Sequence, residues 1–110
     1  DFGNFSKEDS EMQFEGLPDS FRTDIEQAIA VLTTLGAREV FIFGSLADRD
    51  QFIVPRDIDI AVSGLPKDRF FKAYGQLLVK MVHDVDLVDL DDDAAFVHLL
   101  KESGKLERVA

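Results

Sequence analysis

The run Asp57-Ile58-Asp59-Ile60-Ala61-Val62 alternates with a period of two. No helix tolerates that pattern, because a helix brings every third or fourth residue to one face, whereas a strand sends successive side chains to opposite faces. Ile58, Ile60 and Val62 must therefore meet a core, while Asp57 and Asp59 share the other face, about 6.6 Å apart along the backbone. Pro55 reinforces the reading, since it biases Val54 towards extended backbone. No lysine or arginine lies within the run, and Arg56 points to the opposite face in an ideal strand. Two carboxylates so placed either face water or attract a cation, because burying them unpaired carries a large desolvation cost.

The chain of 110 residues has room for one core. Hydrophobic residues make up 45% of it, with ten phenylalanines, so a packed core is affordable despite 22 acidic against 12 basic side chains and a net charge of -10. That charge repels a nucleic-acid backbone, so no direct nucleic-acid binding is expected. Zero cysteines exclude a disulfide scaffold and thiolate-held metals, and two histidines cannot build a histidine-rich centre. A bound metal would need oxygen ligands. No apolar run is long enough to span a membrane and no leader pattern opens the chain, so a cytoplasmic protein is expected.

Residues 1–17, mixed and aperiodic, read as an N-terminal arm, and residues 18–110 as the folded domain. Phe21, Ile25, Ala28, Ile29, Leu32 and Leu35 recur at helical spacing after the turn at Pro18-Asp19-Ser20. Glu39 to Phe43 reads as a strand buried on both faces. After the alternating strand, Gly64 and Pro66 mark a break, and Phe70, Tyr74, Leu77, Leu78 and Met81 predict a helix near 67–81 despite Gly75. Asp84 to Leu90 predicts a third strand with Val85 and Leu87 inward. Phe96, Leu99 and Leu100 predict a last helix ending near Gly104, with an aspartate from 89–93 as its cap. The fold class is α/β (α+β): a small mixed sheet packed with helices.

A third carboxylate on the neighbouring strand completes a possible metal centre, with Asp86 favoured by alternation and Asp84 its rival. Asp57, Asp59 and Asp86 around two magnesium ions would suit phosphoryl or nucleotidyl transfer, since magnesium combines a few carboxylates with water and substrate phosphates. Acids on an open, solvated sheet face would give the same pattern. Gly44 and Ser45, where a strand ends, suit a turn that approaches a phosphate closely, and equally suit a plain turn. The aspartates from 84 to 93 lack the glycine and glutamate of a calcium-binding hand. His83 and His98 read as ordinary histidines, and Tyr74 as core or interface.

Val40-Phe41-Ile42-Phe43-Gly44-Ser45, followed by Asp57-Ile58-Asp59-Ile60-Ala61-Val62 and then Val85-Asp86-Leu87-Val88-Asp89-Leu90, resembles the minimal nucleotidyltransferases of the DNA polymerase β-like superfamily, the MntA-type antitoxins. The similarity runs from about position 22 to about 108. It implies a nucleotidyltransferase fold over residues 18–110. It also implies that Gly44 and Ser45 contact the triphosphate of ATP, with Arg49 nearby, and that Asp57, Asp59 and Asp86 hold two magnesium ions, Asp86 also activating the incoming hydroxyl. The implied activity is transfer of AMP from ATP to a tyrosine of a partner HEPN-domain toxin, which silences it. The sequence departs from the family where Asp48 precedes Arg49, where Asp50 replaces a glycine and where Arg56 replaces a serine. Asp48 and Asp50 repel a triphosphate, and Arg49 or Arg56 offsets them.

A chain this short has no second domain to enclose the nucleotide, so a partner or a second copy is expected to contribute, docking on an exposed Phe or Leu face of the helix near 67–81. The alternative to catalysis is a binding module that neutralises its partner by contact. Transfer to a small molecule is a third reading, for which little chain is left to enclose the acceptor.

Overall fold

A computed structural model describes residues 18–43 and 57–110. Helix α1 (Asp19–Thr34) forms because Phe21, Ile25, Ala28 and Leu32 line one stripe, all of them buried. Strands β1 (Glu39–Phe43) and β2 (Asp57–Ser63) follow, then helix α2 (Lys67–Lys80), strand β3 (Asp84–Asp89), helix α3 (Ala95–Ser103) and strand β4 (Glu107–Arg108). The sheet order is β3-β2-β1-β4, with β1 antiparallel to both β2 and β4, and β2 parallel to β3.

The two faces of the sheet are covered unequally. Ile58, Ile60 and Val62 of β2, with Val40, Ile42, Val85 and Leu87, pack beneath α1 and α2 in the main core. Phe41, Phe43, Ala61 and Val88 face the other way and, among the described residues, pack with Leu90, with Val97 and Leu100 of α3, and with Leu106. This second layer covers one end of its face and leaves Asp57, Asp59, Asp84 and Asp86 at the other end, uncovered by any described helix.

The predicted mixed sheet packed with helices is what is observed. β1 is less deeply sealed than expected: Val40, Ile42 and Phe43 are buried, but Glu39 and Phe41 only half so, because α3 covers that face incompletely. β4 was not predicted, since two residues are too short to show a period, yet it seats Val109 in the core. The predicted aspartate cap of α3 is also absent. Ala94 occupies that position without a side-chain bond. The aspartates are engaged elsewhere: Asp91 accepts the Gly64 N–H at 2.7 Å, and Asp93 lies 2.6 Å from the His98 ring. Gly64 has φ +75, and a Cβ there would lie 2.5 Å from Cγ of Arg38, so this turn out of β2 admits no side chain without rearrangement. The predicted arm, 1–17, lies outside the described residues.

Candidate functional site

Parallel pairing in register sets Asp57 opposite Asp84 and Asp59 opposite Asp86. Paired residues on neighbouring strands share a face about 4.8 Å apart, so the four acids form a patch two residues long and two strands wide. On its other flank Asp59 faces Phe43, which is buried. Asp59 is thus the inner member, half-buried, while Asp57, Asp84 and Asp86 are exposed.

The electrostatics follow from that placement. Burial, and after it the charges of Asp86 and Asp57, push the Asp59 carboxyl above its ordinary value. Among the described residues no group donates a hydrogen bond to Asp59. Asp86 pairs with Asp59 and its charge bears on that carboxyl, whereas Asp84 pairs with Asp57 at the outer end.

One neighbour was not foreseen. The Tyr74 hydroxyl, reaching from α2 around the edge of the sheet, donates to the Val85 carbonyl at 3.0 Å. Burial, followed by the charge and hydrogen bonding of Asp86, raises its phenol above the ordinary value. Helical spacing marks Tyr74 only as part of an apolar stripe, and nothing local in the sequence says that its tip comes to rest beside Asp86.

Among the described residues no three His, Cys, Asp or Glu side chains gather tightly enough to hold a metal ion by themselves. The four acids offer hard carboxylate oxygens, the donor type that magnesium takes together with water and phosphate oxygens. Gly44, Ser45 and Arg49, expected at the triphosphate, lie outside the described residues, as do Asp48, Asp50 and Arg56 beyond the Asp57 boundary. No described helix is long and apolar enough to cross a membrane.

The chain matches no family model and no curated protein. Among solved structures it is similar to a toxin–antitoxin crystallised with AMP-PNP, at 26% identity and TM-score 0.58, over 77% of this chain and 71% of that one. It is similar also to an MntA-HepT toxin–antitoxin, at 22% identity and TM-score 0.56, over 81% and 71% of the two chains. A third match is an MntA-HpeT mutant with two aspartates, two positions apart, replaced by glutamate, at 22% identity, TM-score 0.57 and coverages of 77% and 70%. The mixed sheet and its helices share the fold of these structures, so the resemblance read from the sequence holds at the level of the fold.

Proposed function

We propose that this chain is a nucleotidyltransferase antitoxin that moves AMP from ATP to a hydroxyl, a tyrosine of a partner HEPN-domain toxin. The observation that carries the reading is the register pairing of Asp59 with Asp86 beside Asp57, on a fold shared with toxin–antitoxin structures. Asp57, Asp59 and Asp86 would hold two magnesium ions, which when bound supply charge neutralisation for the triphosphate and lower the pKa of the attacking hydroxyl.

The chain's own residues have three tasks. Asp59, flanked by acids and half-buried, supplies negative charge that is poorly compensated without a cation, so the site favours a metal–triphosphate complex over an empty state. Asp86, at the exposed edge, accepts the proton of the incoming hydroxyl. The acceptor oxygen then bonds to the α-phosphorus as the bond to pyrophosphate breaks. Gly44, Ser45 and Arg49 are assigned to the triphosphate.

The exposed Phe71 and Leu78 on α2, at 83% and 58% accessibility, match the partner-facing surface expected from the sequence and also suit the second reading, neutralisation by contact alone. One experiment separates them. The chain is incubated with magnesium, ATP labelled on the α-phosphate and the purified toxin. Transfer of label to the toxin, lost in Asp57→Asn and Asp59→Asn, supports catalysis. Inhibition of the toxin without label supports contact.

A further inference from the structure

Strand β3 is the outer strand of the sheet, with no described strand beyond it. Its backbone groups alternate in direction. The Leu90 N–H bonds the Val62 carbonyl at 2.8 Å, so even-numbered residues of this stretch turn towards β2, while the Val85 carbonyl turns outward to Tyr74. By the same alternation Leu87 presents its N–H and C=O to the open edge, and Asp89 its N–H; the Asp89 carbonyl is already taken by the Asp92 N–H at 3.2 Å.

Over these groups runs a groove of about 410 Å³ between the start of α2 and the start of α3, lined by Phe70, Phe71, Leu87, Val88, Phe96 and Asp89 among others. Phe71 and Phe96 stand on its two rims, 83% and 55% exposed. An apolar trough along a strand edge that no described strand pairs suits an extended chain, which fills both the hydrogen bonds and the trough, better than a helix, whose backbone bonds are internally satisfied.

Charge selects the occupant. Asp84, Asp86 and Asp89 lie on β3 itself and Asp92 lines the groove, against Lys67 on the opposite wall. A second copy pairing edge to edge would set β3 aspartates against one another, an arrangement that opposes association. A segment with basic residues beside an apolar one is complementary. We propose that the β3 edge is a docking site for an extended, basic segment of a partner protein, which adds a short strand at Leu87 and Asp89 and seats one apolar side chain between Phe71 and Phe96. The groove adjoins the acid patch, sharing with it the charge of Asp84 and Asp86, but its lining includes none of the four patch acids, and the proposal stands whether or not the chain is a transferase.

The test is to pan a displayed library of random nonapeptides on the full-length chain, with parallel panning on a Phe71→Ala/Phe96→Ala variant. Both positions are exposed, and far-UV circular dichroism checks that the variant is folded. Enriched peptides are expected to place lysine or arginine beside an aliphatic or aromatic residue. A synthetic copy should lose at least tenfold in affinity for the variant and for Asp89→Asn/Asp92→Asn. N-methylation along the peptide should abolish binding at alternate positions and spare those between, as a strand requires. Equal enrichment on the variant, an acidic or absent consensus, or indifference to N-methylation overturns the proposal.

Discussion

Asp24, buried, and Asp59, half-buried, are two carboxylates whose surroundings have opposite character. Asp24, on α1, is 1% exposed and accepts three hydrogen bonds: from the Val82 N–H at 2.9 Å, from the His83 N–H at 2.7 Å, and at 2.7 Å in its contact with Nδ1 of His83. The Phe21 ring stacks on that imidazole, with centroids 3.9 Å apart. Burial pushes the Asp24 carboxyl up, but the backbone donors and His83 together outweigh it and hold the group below its ordinary value. Asp59 meets burial and like charge together, with no described donor. Asp24 is an acid that the fold has satisfied, a structural pin, whereas Asp59 is one for which the described residues supply no donor.

Asp24→Ala tests the first half and carries the largest expected effect. It strands two backbone N–H groups and the imidazole at the junction of α1 with the α2–β3 turn, and should cost about 3 kcal/mol in urea unfolding. A loss below 1 kcal/mol would show that water or another group replaces the carboxylate, and the contrast between the two acids would collapse.

Asp59→Asn tests the second half through activity. If Asp59 helps to hold a cation at the transferred phosphate, AMP transfer should fall by at least about a hundredfold, near 2.7 kcal/mol of transition-state stabilisation. Far-UV circular dichroism should remain unchanged. Transfer at the original rate would remove Asp59 from the machinery.

A smaller effect is expected from acid. The Asp24 carboxyl is lowered in the folded state, so its contribution to stability is complete above the unfolded carboxylate value and is lost as pH falls through the folded one. Wild type should therefore destabilise at acid pH more steeply than Asp24→Asn, which has no proton to gain at that position. The protonated wild-type carboxyl retains one accepting oxygen, so the loss stays below that of Asp24→Ala. Parallel acid limbs for the two proteins would refute the assignment.

The two sites also differ in how far the sequence discloses them. The acid patch was legible because a period of two on β2 and another on β3 fix which residues share a face, and parallel register needs only a helical crossover between them. The Asp24 pin was not: its partners lie 58 and 59 positions away, at a turn whose placement depends on how α1 packs against α2. Tyr74 beside Asp86 is hidden for the same reason. Local rules failed differently at α3, where a row of aspartates suggested a cap but Asp91 bonds Gly64 across the sheet. The C-terminal end of α3 was legible, since Gly104 adopts φ +68, a conformation that favours glycine.

The smallest prediction separates a satisfied acid from an unsatisfied one most sharply, because its sign is opposite. The raised Asp59 carboxyl means that the folded chain binds that proton more readily than the unfolded chain does. Its penalty is absent below the ordinary carboxylate value, grows as pH rises towards the raised one, and is complete above it. Asp59→Asn removes the charge without changing the shape, and should raise stability at neutral pH by about 0.5 kcal/mol after solvent screening, or roughly 2–4 °C in thermal midpoint. The gain should vanish at acid pH, where wild type is protonated. Added magnesium should raise the wild-type midpoint and leave the Asn variant nearly unmoved, since a cation binds the folded state only where the charge remains. A variant less stable than wild type at neutral pH would mean that Asp59 is already satisfied, and the contrast with Asp24 would disappear.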